Sequence, residues 1–129
     1  MWKYEKGEGR IKHYWRRPEA GFELDGQCWI GKCPKGLTQQ EAEAILNRAF
    51  PLYESDEDAY PPRLYAVHGG VIYEAAPTRP GISYHGYPWR GDLPGRPRLP
   101  NALLTQLEAQ ARQQGELEDY RRWMKKYGG

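Results

Sequence analysis

Apolar and polar positions alternate most clearly in Leu64-Tyr65-Ala66-Val67-His68 and Val71-Ile72-Tyr73-Glu74-Ala75, on either side of Gly69-Gly70. Two glycines supply the positive φ angles that a two-residue turn demands, so the pattern predicts an antiparallel hairpin over 64–75. The period of two sorts Leu64, Ala66, His68, Val71, Tyr73 and Ala75 onto one face, and Tyr65, Val67, Ile72 and Glu74 onto the other. Either face is apolar enough to meet a helix.

A helical period replaces this alternation elsewhere. Thr38-Gln39-Gln40-Glu41 has the form of a capping box, in which the Thr38 hydroxyl accepts from the Glu41 amide. Ala42, Ile45, Leu46 and Ala49 then fall on one stripe before Pro51, which predicts a helix over 39–49. Asn101 is placed to cap further helix over 102–127, with Leu103, Leu104, Leu107 and Ala111 on one face and a break at Gly115. Leu117, Tyr120, Met124 and Tyr127 continue an apolar stripe, and Glu118 and Arg122 are spaced for an i, i+4 pair.

The remaining segments read less regularly. Phe22 to Ile30 is extended, with 27–30 its best strand and Gly31 to Gly36 a loop; a further short strand is expected at 82–85. The acidic run Glu54 to Asp58 and Pro61-Pro62 read as a surface connection. Pro77, Pro80 and Gly81 open a Pro/Arg-rich loop over 77–100. Together these elements predict one α+β domain over 1–129, a small antiparallel sheet built on a central hairpin and packed against two or three helices.

Charge adds distribution rather than magnitude. Nineteen Lys and Arg against seventeen Asp and Glu give a net charge of +2, too small to imply a polyanionic partner by itself. Residues 1–17 nevertheless form a basic, aromatic N-terminal segment, and Arg79, Arg90, Arg96 and Arg98 face only Asp92 in a second basic stretch. No apolar run approaches the roughly 20 residues that cross a bilayer, and no signal-peptide pattern opens the chain, so a cytoplasmic location without membrane contact is expected. In that compartment Cys28 and Cys33 read as free thiols; their spacing makes a weak metal pair, so neither metal nor cofactor is expected. Gly31-Lys32-Cys33-Pro34-Lys35-Gly36 precedes a capped helix but lacks the phosphate-loop signature.

Candidate chemistry gathers around His68 and His85, each followed by glycine and each at an expected strand end. Two imidazoles beside Arg79 and Arg90 would suffice for metal-independent RNA cleavage, one removing the 2′-hydroxyl proton and the other protonating the leaving oxygen. The arginines would hold the phosphorane charge. Tyr84, Tyr87 and Trp89, interleaved with His85 and Arg90, have the composition of a base-stacking segment. The structural alternative is a hairpin-flanking His68 and a proline-aromatic clamp at 84–90 that ties a long loop to the core. The leading functional reading is a small RNA-interacting domain, with a metal-independent ribonuclease as its sharpest form. A non-enzymatic protein-protein interaction module, anchored by Tyr, Trp and Arg, is the competing class, and a nucleotide-using transferase the third. Whether His68 and His85 share one cleft discriminates the cleavage reading from the others.

Overall fold

The computed structural model describes residues 1–5, 17, 19–25, 28–34 and 37–128. Most of the basic N-terminal segment expected at 1–17 lies outside these residues. The fold is α+β: a five-stranded sheet, a two-stranded sheet and three helices among the described residues. Strands β1 (Lys3–Tyr4), β2 (Gly21–Asp25) and β3 (Cys28–Lys32) precede helix α1 (Gln39–Asn47). Strands β4 (Phe50–Leu52), β5 (Arg63–His68), β6 (Val71–Arg79) and β7 (Ser83–Pro88) follow, then helices α2 (Asn101–Gln113) and α3 (Leu117–Tyr127).

The hairpin forms where the alternation placed it. Leu64 pairs with Ala75 and His68 with Val71, while Gly69 and Gly70 take φ angles of 60° and 80°, both positive as a type I′ turn requires. The sheet order is β1-β7-β6-β5-β4. Its members are antiparallel except β1, which runs parallel to β7, so the sheet is mixed rather than wholly antiparallel. The strand expected at 27–30 exists as β3 but pairs only with β2, in a separate ribbon. It also runs on to Lys32, into the expected loop.

The segment 77–100 is a loop only in its second half. β6 continues through Pro77 to Arg79, and the strand expected at 82–85 runs over Ser83–Pro88. Pro77 is tolerated because the pairing of β6 with β5 ends at Leu64 and Ala75, so its missing amide forfeits no bond to β5. Pro51 similarly sits in β4, at the sheet edge, where it does more than stop a helix.

Both faces of the hairpin are covered, by different helices. Leu64 and Ala75 pack with Leu46 of α1 and with Tyr84, whereas Tyr65, Val67 and Ile72 pack with Leu103, Leu107 and Ala111 of α2 and Tyr120 of α3. The Thr38 hydroxyl accepts from the Glu41 amide at 3.0 Å, as the capping box predicts. At α2 the cap position belongs to Pro100, with no side-chain bond, and Asn101 is the first helical residue; proline's fixed φ and neighbouring extended backbone define that start instead. Gly115, at φ 74°, separates α2 from α3. Arg122 pairs with Asp119 one turn before it rather than with Glu118.

A set of amides and one carboxylate fastens α2 to the hairpin. Gln110 Oε1 accepts from the Val67 amide at 2.7 Å, its Nε2 donates to the Arg48 carbonyl at 3.0 Å, and Gln114 Nε2 donates to the Val67 carbonyl at 3.0 Å. Glu116 accepts from the Gly69 and Gly70 amides at 3.0 and 3.4 Å. The turn is therefore held by the helices as well as by its own backbone.

Candidate functional site

Strand register separates the two histidines. His68 lies opposite Val71 on the face that carries Leu64, Ala66 and Tyr73, towards α1. His85 lies opposite Ala76 and shares its face of the sheet with Tyr87 and that residue's partner Glu74, the face away from His68. The two rings line different cavities. His68 Nδ1 meets Arg48 Nη2 at 3.0 Å, and because guanidinium can only donate, Nδ1 is the acceptor. His85 Nδ1 contacts Thr78 Oγ1 at 2.8 Å. The Thr78 hydroxyl donates its one proton to the Glu5 carbonyl, so the His85 ring donates from Nδ1.

The remaining expected site residues divide between core and surface. Tyr84 is fully buried, its hydroxyl donating to the Pro61 carbonyl at 2.6 Å and its ring edge-on to Trp2; burial pushes its pKa up to about 12. Trp89 is buried among Leu99, Leu103 and Leu107. Neither ring is open to a base. They clamp the chain to the two cores, the structural alternative for this segment. Arg79 is exposed and its guanidinium bonds the Glu5 carboxylate at 2.5 Å.

Arg90 forms a knot. Its guanidinium carbon stands 5.0 Å from the Phe22 ring centroid and 4.9 Å from those of both Trp29 and Tyr127. Nε and Nη2 also donate to the two oxygens of Asp92, at 2.7 and 2.8 Å. These hydrogen bonds hold the Asp92 carboxyl below its usual pKa. Arg90 thus joins the β2–β3 ribbon to α3 and to the segment after β7.

Beside this knot lies a groove of about 300 Å³. The ribbon lines it with Phe22, Trp29 and Ile30, β7 with His85 and Tyr87, and the segment after β7 with Leu93 and Arg96. Close approach of the ribbon depends on Gly31: a Cβ there would stand 2.7 Å from the Pro88 carbonyl oxygen. Trp29, with Arg90 against its ring, is still 44% exposed. Leu24, its cross-strand partner, is also exposed.

Tyr87 connects the groove to a partly buried polar cluster. Its hydroxyl donates to Glu74 Oε1 at 2.7 Å, and the Tyr65 hydroxyl donates to Oε2 at 2.5 Å. Burial, and then the Glu74 carboxylate, raise the pKa of both phenols, so they act as donors rather than as phenolate bases. The guanidiniums of Arg63 and Arg96 lie near enough to Tyr87 to oppose that rise.

Two other cavities contribute less chemistry. One between α1 and the sheet, lined by Ile45, Leu46, Ala66 and Cys33, is apolar and holds only about 40 Å³, far below the roughly 300–1,000 Å³ of small-molecule sites. Burial lifts the Cys33 thiol to about 11. The Cys28 side chain lies outside the described residues, so the weak metal pair is not assembled from them; no cluster of metal-ligating side chains occurs among the described residues. The other cavity, about 490 Å³, contains His68, Tyr73, Glu41 and Trp123.

Of the seven residues picked from sequence, His85, Tyr87 and Arg90 meet at the groove. Phe22, Trp29, Leu93 and Arg96 complete it without having been singled out as site residues. Trp29 carried the one available signal, a large ring alternating with Cys28 and Ile30 in a short strand. No helix is long and apolar enough to cross a membrane among the described residues. Compared with protein-family models, curated proteins and solved structures, the chain matches none.

Proposed function

We propose that the protein is a small RNA-interacting domain whose groove between the β2–β3 ribbon and β7 receives an unpaired base. The observation that carries this reading is Trp29, a ring backed by the Arg90 guanidinium yet 44% exposed at a groove that also holds Tyr87, His85 and Arg96. Single-stranded nucleic acids are bound by such pairings of exposed aromatic platform and positive charge. The proposal is for binding rather than metal-independent cleavage, because one imidazole of the required pair lies on the opposite face of the sheet. No residue here is assigned nucleotide transfer.

Fluorescence anisotropy with an internally labelled single-stranded RNA of about ten nucleotides tests the reading. Trp29→Ala should weaken binding by about 1–3 kcal/mol, the usual worth of one base–aromatic stack. Affinity should fall with added salt, and His68→Ala should leave it unchanged. RNA should be recovered intact. Absence of binding at low salt would sink the proposal; cleavage that needs both histidines would restore the enzyme reading.

The exposed Leu24–Trp29 pair supports a second reading, a protein-protein interaction module presenting the ribbon to a partner. Under that reading Leu24→Asp abolishes partner capture while RNA has no measurable affinity.

A further inference from the structure

We infer that the groove holds an internal stretch of RNA: a base enters it against Trp29, while the neighbouring phosphodiesters lie outside it on Arg96 and Arg98. This rests on the RNA reading above and adds where the backbone of the strand is held.

The loop that carries both arginines is pinned at each end and turned in the middle. Before it, Arg90 is fixed against the ribbon and α3; after it, Leu99 is buried with Trp89 and Leu103. Between these anchors the Arg96 amide donates to the Leu93 carbonyl at 3.3 Å across Pro94 and Gly95, and Gly95 has a φ of 78°. Proline at the second position and a positive φ at the third make this a type II turn, and Arg96, its last residue, lines the groove. Pro97 fixes its own φ and favours extended backbone at Arg96, so Arg98 follows within about 7 Å of chain. Both arginines are exposed, and neither takes part in an ion pair among the described residues. Two guanidiniums set that close on a constrained loop suit successive phosphates of one strand.

Charge decides what goes inside the groove and what stays outside. Arg90 and Asp92 offset one another, because both Asp92 oxygens accept from the Arg90 guanidinium. Glu74 is not offset: the Tyr65 and Tyr87 hydroxyls that donate to it are neutral, so its negative charge stands behind the Tyr87 ring that lines the groove. A phosphate inside the groove would be repelled by that carboxylate, whereas an uncharged base would not. The exposed loop favours the backbone instead, with one guanidinium for each singly charged phosphodiester.

The slope of log affinity against log salt counts the phosphates held, at about 0.7 per contact for a single strand. With the full chain and a single-stranded RNA of about ten nucleotides, Arg96→Gln and Arg98→Gln should each reduce the magnitude of that slope by about 0.7, and the double variant by about 1.4. Arg98→Lys should keep it, because a point charge suffices for a phosphate. Trp29→Ala should weaken binding at every salt concentration and leave the slope unchanged. Arg112→Gln, at a residue ion-paired to Glu108 on α2, should change neither. Circular dichroism confirms that each variant is folded. Binding whose slope is unchanged in either Arg96→Gln or Arg98→Gln would overturn the backbone assignment and leave the RNA reading standing. An equal loss of slope in Arg112→Gln would also overturn it, since it would mark a diffuse attraction to positive charge. No affinity for RNA at low salt would overturn both readings.

Discussion

Replacing Gln110 by leucine removes both polar ends of a side chain that is only 7% exposed, while keeping its bulk. The Val67 amide loses its 2.7 Å acceptor and the Arg48 carbonyl its 3.0 Å donor. Val67 is fully buried, so its orphaned N–H bears a desolvation penalty of about 1–3 kcal/mol. The bond to the Arg48 carbonyl is only partly buried and the residue itself is exposed, so losing that donor costs less than orphaning the Val67 amide. The two effects, less a modest gain from burying leucine's methyl groups, leave a net loss of about 2 kcal/mol. Urea unfolding should show a lower midpoint with an unchanged slope. Heating should show a fall in Tm of roughly 8 °C for a chain of this size. Gln106→Leu, on the exposed side of the same helix, is the control and should move stability by no more than about 0.5 kcal/mol. A Gln110→Leu protein within that same margin of the parent would refute the assignment of Gln110 as the amide's necessary partner.

Three further outcomes follow from other features. Gly70→Ala should destabilise the fold by more than about 2 kcal/mol and Gly69→Ala by about 1, measured by urea unfolding. Both glycines have positive φ, but only at Gly70 would the new Cβ stand 2.4 Å from the Asp119 Cβ. Asp92, held below its usual pKa by Arg90, stabilises the fold fully above the unfolded value of about 3.9, and that contribution is lost as pH falls through the lower folded value. Asp92→Asn should therefore flatten the stability profile below about pH 4 and leave its slope near neutrality unchanged. Cys33, raised to about 11 by burial, should resist iodoacetamide in the native protein at mildly alkaline pH and react once urea is added, as read residue by residue by mass spectrometry.

How far the sequence could be read depended on whether the deciding interaction was local. Gly69-Gly70 and the Thr38 cap act within a few residues, and both the hairpin and α1 stand where those signals put them. β4 was obscured because Pro51 reads as a helix stop, whereas an edge strand tolerates proline. β6 passes Pro77 for a related reason, and the loop expected from 77 therefore begins only after Pro88. The site was harder. The segment Tyr84 to Arg90 was composed like a binding arm, but only sheet register turns Tyr84 into one core and His85 and Tyr87 to the opposite face, and only the packing of α2 beyond the end of β7 buries Trp89. His68 and His85 look equivalent in sequence, and strand pairing sends them to opposite faces. Arg96 and Trp29 are 67 positions apart in the chain, so no local pattern joins them.

The Arg90 knot has a consequence for how binding would be felt through the molecule. One guanidinium rests against Phe22, Trp29 and Tyr127, and the Gly91 amide donates to the Tyr127 carbonyl at 2.7 Å. A ligand that restrains Trp29 therefore also restrains the last turn of α3, and by thermodynamic reciprocity loosening that turn weakens the ligand's hold. Hydrogen exchange makes the coupling visible: amides at 124–127 should slow when RNA fills the groove, and in Arg90→Ala they should exchange at the same rate with and without it.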